Sequence, residues 1–169
     1  TMEALAKMKP AFKKDGSVTA GNASGLNDAA AFFVLADAAT AAKAGHKAMA
    51  RIVSYAVAGV PNDLMGEGPI PATKLALKRA GLSLDQIDVI ESNEAFAAQA
   101  IAVNRALGLD PAKTNTNGGA IALGHPVGCS GALIATKALY ELERVQGRYA
   151  LVTMCIGGGQ GIAVIFERA

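Results

Sequence analysis

Two cysteines, two histidines and almost no net charge leave this 169-residue sequence with few of the usual markers of a partner. Sixteen basic and 14 acidic residues give a formal charge of +2, too balanced for a nucleic-acid or membrane-surface binder. No apolar run is long enough to span a bilayer. The opening residues, Thr1-Met2-Glu3-Ala4-Leu5, lack a basic stretch followed by an apolar block, so they do not read as a secretory signal. Cys129 and Cys155 form no C-x-x-C pair; neither a disulfide framework nor a zinc site is suggested, and a reducing, cytoplasmic setting is expected. There is no tandem repeat and no low-complexity linker. What the sequence does have is an apolar half, enough for the core of one α/β domain, and 19 glycines that cluster.

The coarse pattern predicts alternating strands and helices. An apolar run over residues 29–35 reads as a strand, and Asp37 as the cap of a helix reaching about Lys43, which Gly45 ends. Residues 51–57 read as a strand. Ala72, Leu75, Ala76 and Ala80 fall at helical spacing, and Gly81 closes that helix. Residues 87–91 suggest a short strand. Residues 95–107 are apolar nearly all round, which predicts a helix buried on most sides. Residues 115–119 read as extended, and 126–144 as a long helix. Two last strands, 149–155 and 161–166, are joined by Gly157-Gly158-Gly159-Gln160, short enough for an antiparallel hairpin. The earlier alternation implies parallel strands with helices packed on the sheet. The expected fold is α/β, a layered βαβαβαββ order with a mixed sheet and helices on both faces.

Three stretches stand where such a fold places ligands, beyond the carboxyl ends of strands. In Glu91-Ser92-Asn93-Glu94-Ala95-Phe96-Ala97 the plain reading is that Asn93 or Glu94 caps the next helix. In Asn117-Gly118-Gly119-Ala120-Ile121-Ala122-Leu123-Gly124-His125-Pro126-Val127-Gly128 the glycines allow close backbone approach. With Pro126 at a first helical position, His125 would stand at a helix N-terminus, whose positive potential keeps the ring neutral. A capping or buried structural histidine is the competing reading. In Cys155-Ile156-Gly157-Gly158-Gly159-Gln160-Gly161 a thiol ends a strand beside bare backbone N–H groups, which suits a reactive sulfur at an oxyanion site; a buried cysteine at a tight turn is the alternative. Cys129, among Gly128, Ser130 and Gly131, reads as a small packing residue.

Taken together, Asn93-Glu94-Ala95-Phe96-Ala97, the 118–131 stretch with Gly124-His125-Pro126, and Cys155-Ile156-Gly157 resemble three active-site signatures of thiolases, in matching order and spacing. Gly21-Asn22-Ala23-Ser24-Gly25-Leu26-Asn27-Asp28 and Met65-Gly66-Glu67-Gly68-Pro69 add two further family-like stretches, so the resemblance covers the whole chain. It implies an acyltransferase acting on acetyl-CoA and 3-ketoacyl-CoA, with coenzyme A thioesters as substrates and no other cofactor and no metal. By the same resemblance His125 activates a nucleophilic cysteine and helps hold a thioester oxygen, and Asn93 positions a water in that oxyanion hole. Cys155 moves the α-proton, and Gly157 offers its N–H to a second oxyanion hole. Ser24 touches the pantetheine arm of CoA; Ala20, Leu26, Met65 and Phe96 line the acyl and pantetheine channel.

A thiolase also needs a nucleophilic cysteine from its first half, and neither cysteine here has that context. The expectation is therefore a C-terminal portion. Residues 1–26 would be a remnant of the substrate-binding loop region, 27–48 the last strand and helix of the first domain, and 49–169 the second domain. Its partners would be the missing N-terminal half and, in the full enzyme, further copies in a homo-oligomer, and the chain by itself would be inactive. Two other readings stand beside this one: a non-catalytic remnant that binds CoA or a partner subunit, and a self-sufficient thiol hydrolase using Cys155 and His125. The last is weakened because no acid orienting His125 is evident.

Overall fold

Between residues 50 and 168 the short β-branched and apolar runs pair into one sheet, and a helix closes over each of its faces. The structure, a computed structural model, describes residues 1–169. Its strands are Ala50–Gly59 (β1), Val89–Ser92 (β2), Tyr149–Ile156 (β3) and Gln160–Arg168 (β4), in the order β1-β4-β3-β2. β3 and β4 form the expected antiparallel hairpin. β2 runs parallel to β3, whereas β1 lies at the opposite edge, antiparallel to β4. The sheet is mixed, and the parallel arrangement expected from the alternation holds for β2 and β3.

Period-two alternation divides the core into two layers. Ile90, Leu151, Ala163 and Ile165 pack with Ala72 and Ala76 of Pro69–Ala80 (α3). Val89, Ala150 and Val152 pack with Ile134, Ala138 and Leu142 of Ser130–Arg144 (α6). α3 begins on Pro69 and ends on the left-handed Gly81, the residue expected to close it.

Before residue 50 the chain contributes little to this core. Neither Met2–Ala6 (α1) nor Ala38–Lys43 (α2) has a buried residue. α2 matches its expected limits: Asp37 Oδ1 accepts from Thr40 N at 2.9 Å, and Gly45 follows with φ 73°. Residues 29–35, however, form no strand. Phe32 is 92% and Val34 99% exposed. Apolarity alone does not make a strand; its backbone groups need a neighbour, and none of the four strands lies beside this run. The layered order therefore starts at its first helix.

Three further expectations change. The helix predicted as buried on most sides is Ala97–Leu107 (α4), and only Gln99, Ala100 and Val103 are buried along it. It rests on α3 and on the 3-10 segment Asn62–Glu67, while the flank carrying Ile101 is open. Residues 115–118 bend rather than run extended, with Asn115 at φ 49° and Gly118 at φ 85°, and only Gly119 is extended. The long helix starts at Ser130, not Pro126. Residues 126–129 instead form a tight turn, with Cys129 N and Ser130 N both donating to Pro126 O.

Candidate active site

β2 ends at Ser92, and a side chain continues its pairing. Ile90 bridges to Thr114, after which Asn115 turns into the left-handed region. Its amide then does what a strand residue would: Oδ1 accepts from Ser92 N at 2.9 Å, and Nδ2 donates to Ser92 O at 2.8 Å. On the other side Asn93 N donates to Thr153 O of β3 at 3.0 Å. Asn93 is thus held against β3 and buried. Its Nδ2 lies 3.3 Å from His125 Nε2.

Neither Asn93 nor Glu94 caps α4, whose cap residue is Phe96 with no side-chain bond. Glu94 caps a different helix. Its Oε2 accepts from Ile121 N, in the single turn Ala120–Leu123 (α5), at 3.2 Å, and its Oε1 accepts from Asn115 Nδ2 at 3.2 Å. The carboxylate lies directly over Gly119, where a Cβ would come within 2.5 Å of Oε1. α5 leads straight to Gly124-His125, so Glu94 ties the asparagine loop to the histidine loop.

His125 precedes the first turn of α6 by five residues and is not at a helix N-terminus. The helix potential invoked from sequence does not account for a neutral ring. Burial does: it holds the imidazole below its ordinary pKa. On its other side the ring meets Ser130, with Nδ1 2.6 Å from Oγ. Sequence reasoning missed Ser130, because a serine among glycines five residues past a histidine reads as spacer; only the tight turn brings it back under the ring.

Residues 22–27 clip the two loops together. Ala97 N donates to Asn22 O, Ser24 N and Oγ both donate to Ala95 O, and His125 N donates to Gly25 O at 3.0 Å. Leu26 pairs with His125, and Ala23 with Phe96, as isolated bridges. Ser24, Leu26 and Phe96 therefore all stand on this clip. Ser24 and Phe96 are half-buried, and Leu26 and Ala20 are exposed. Phe12 meets Phe96 edge-on, ring centres 6.3 Å apart. Met65 is half-buried in the 3-10 segment, whose Gly66 packs on Gln99 of α4.

Cys155 is buried near the end of β3, two residues past the Thr153 carbonyl that holds Asn93, and burial raises its thiol above the ordinary value. No hydrogen bond links it to His125 or Asn93. Gly157, in the following turn, is exposed, with no heavy atom within 4 Å of where its Cβ would be. Cys129 is half-buried rather than in the core, lining a cleft of about 370 Å³ with Pro126, Val127 and the 27–32 segment.

Two charged pairs brace the loop behind the site. Lys137 Nζ donates to Glu91 Oε2 at 2.9 Å and to Gly118 O at 2.6 Å. Burial raises the Glu91 pKa despite that partner. Glu141 takes bonds from Arg144, Asn117 and Thr116; the Arg144 bonds above all bring its pKa down to about 2. No group of three or more His, Cys, Asp or Glu is placed to hold a metal ion, and no helix is long and apolar enough to cross a membrane.

The family model "Thiolase, C-terminal domain" matches residues 46–168, and "Thiolase, N-terminal domain" matches residues 1–39. The chain is 66% identical over 169 residues to a beta-ketothiolase of Cupriavidus necator and 58% identical over 168 residues to an acetyl-CoA acetyltransferase of Pseudomonas aeruginosa. In both cases 99% of this chain aligns with 43% of the relative. The crystal structure of human mitochondrial 3-ketoacyl-CoA thiolase in complex with CoA superposes with a TM-score of 0.92 at 50% identity, over 100% of this chain and 43% of that one. The chain thus spans less than half the length of the proteins it matches.

Proposed function

Since the chain belongs to the thiolase family, we propose that its site serves acyl transfer between CoA thioesters, forming or thiolysing acetoacetyl-CoA and 3-ketoacyl-CoA. The observation that carries this reading is the Asn93 amide lying 3.3 Å from Nε2 of His125, the two loops being cross-tied by Glu94 and by residues 22–27. In the proposed first step a cysteine thiol supplied by another part of the enzyme gives its proton to His125 Nε2. The thiolate attacks the thioester carbonyl, and CoA leaves as its thiolate, taking up a proton. Asn93 stands where, with a water, it would steady the oxygen that becomes negative.

In condensation a second acetyl-CoA loses an α-proton to Cys155. The resulting enolate attacks the acylated cysteine, which leaves as its thiolate; CoA having carried off the proton first taken by His125, the α-proton now on Cys155 is the one that restores the resting thiol. In thiolysis Cys155 gives the proton back to the departing carbon. A thiol whose pKa is raised by burial rests protonated, the form the second direction needs. Gly157 N–H would hold the second thioester oxygen in the open space above its turn. Ser24, Ala20, Leu26, Met65 and Phe96 would take the acyl and pantetheine groups, with residues 1–26 serving as part of the substrate-binding loop. Within these 169 residues no thiol adjoins Nε2 of His125, so the segment by itself should neither thiolyse nor condense. Exposed Phe32, Val34 and Leu35 fit a segment that is covered in a larger assembly, a homo-oligomer in this proposal.

The test is acetoacetyl-CoA thiolysis by the purified chain, with and without a complementing first half from the Cupriavidus necator beta-ketothiolase. Activity only in the mixture is expected. A robust rate from the chain by itself would refute the division of labour. No rate in a mixture shown to associate would favour a non-catalytic, CoA-binding or subunit-interaction role.

A further inference from the structure

His125 has two ring nitrogens, and the reaction can use only one of them as a base. Which one is bare depends on what the other touches. Ser130 Oγ lies 2.6 Å from Nδ1 and 3.0 Å from Pro126 O, and the serine is 1% exposed, so no solvent competes for either contact. Ser130 Oγ donates to the Pro126 carbonyl, which also takes Cys129 N and Ser130 N. That leaves a lone pair of Oγ facing Nδ1. At 2.6 Å two lone pairs would repel, and the contact is attractive only if Nδ1 carries the ring proton. The far side of the ring agrees: Asn93 Nδ2, a donor, faces Nε2 at 3.3 Å and requires a bare nitrogen there.

We propose that Ser130 is a positioning residue that holds His125 as the Nδ1–H tautomer, keeping Nε2 bare and aimed at the Asn93 side of the site. This rests on the reading of His125 as the base. The tight turn at 126–129 is what makes it possible. It starts α6 at Ser130 and folds the first helical side chain back beneath the ring, with Ser130 N and Oγ both anchored on Pro126 O. A neutral hydroxyl does here what a carboxylate does for many catalytic histidines. It fixes the tautomer and the ring plane without adding a charge, which suits a thiol base that must stay neutral until it takes a proton.

Two measurements test this. The chain has only two histidines, so in a ¹⁵N-histidine sample the His46→Gln variant leaves the His125 ring as the remaining signal. The ¹⁵N shifts of its two nitrogens separate a protonated from a bare atom. Wild type should show Nδ1 protonated and Nε2 bare; Ser130→Ala should show exchange between tautomers, and Ser130→Thr, which keeps the hydroxyl, should restore the wild-type pattern. In the enzyme completed with a first half, acyl-enzyme formation should fall roughly 10- to 100-fold in Ser130→Ala, the range spanned by losing one buried hydrogen-bond partner, and recover in Ser130→Thr. A wild-type ring protonated at Nε2 overturns the proposal without any variant. So does a Ser130→Ala enzyme that retains both tautomer and rate while His125→Asn loses the rate. If His125→Asn also keeps its rate, the base assignment falls as well, and the tautomer pattern still reports on Ser130 by itself.

Discussion

Gly119→Ala should break the tie between the asparagine loop and the histidine loop, and the structure allows its cost to be worked out. Gly119 sits at φ −101°, ψ −172°, backbone that any residue adopts, so the substitution carries no conformational strain. The cost is steric. The new methyl would fall within 2.5 Å of Glu94 Oε1, so the carboxylate must swing away and give up its bonds to Ile121 N and Asn115 Nδ2. Glu94 is half-buried, so solvent screening discounts each charge-assisted bond below its usual range, to about 1 kcal/mol, and the pair to about 2 kcal/mol. For a chain of this length that is a fall in Tm of roughly 4–8 °C. Glu94→Ala should cost a similar amount by removing the same bonds. In that background Gly119→Ala should be neutral or slightly stabilising, because no carboxylate remains to collide with and the unfolded chain loses freedom. Gly118→Ala is the control: at φ 85° it should cost about 1–2 kcal/mol in either background. The assay is a thermal double-mutant cycle. If Gly119→Ala destabilises the Glu94→Ala variant as much as the wild type, the collision is not the cause. In the completed enzyme, misplacing Asn93 against His125 should lower acyl transfer by up to about 10²-fold.

In the enzyme completed with a first half, Cys155→Ala should still be acylated by acetyl-CoA, visible by mass spectrometry, while steady-state condensation falls by about 10²–10⁴; Cys129→Ala should alter neither, and the reverse outcome would mean the wrong cysteine carries the proton. Acylation should persist as pH falls below 6.5, since burial holds His125 neutral beyond the ordinary imidazole range, whereas condensation should keep rising as pH passes the ordinary thiol value of 9.0. Pre-steady-state rates against pH read both limbs. Glu141→Gln should destabilise the chain at neutral pH. Because the folded pKa is depressed to about 2 from 4.5, the difference from wild type should be full above pH 4.5 and vanish as pH falls toward 2, as followed by urea midpoints. The chain by itself should bind a hydrophobic dye through the exposed Phe32, Val34 and Leu35, and a monodisperse monomer that binds none would contradict this.

Much of the molecule can be read from residue order, because the signals are local. The hairpin at 149–168 follows from apolar runs separated by a glycine turn, α3 from the helical spacing of its apolar residues and the closing Gly81, and α2 from the Asp37 cap. The three motif loops likewise stand out by composition, and the family resemblance follows from them. The remainder depends on contacts that no local pattern encodes. Residues 29–35 have the composition of a strand but no neighbouring strand to bond with, and the apolar α4 has only one flank covered. Glu94 reads as the cap of the helix that follows it, yet it caps α5, 27 residues away, because Asn115 folds that loop back onto the end of β2. The neutral ring of His125 has a cause that residue order does not show: a turn rather than a helix follows Pro126, so burial sets the pKa. Ser130 was not foreseen at all. Local order names the residues able to do chemistry, but the partner that decides which nitrogen of a histidine is bare is set by how the chain folds back on itself.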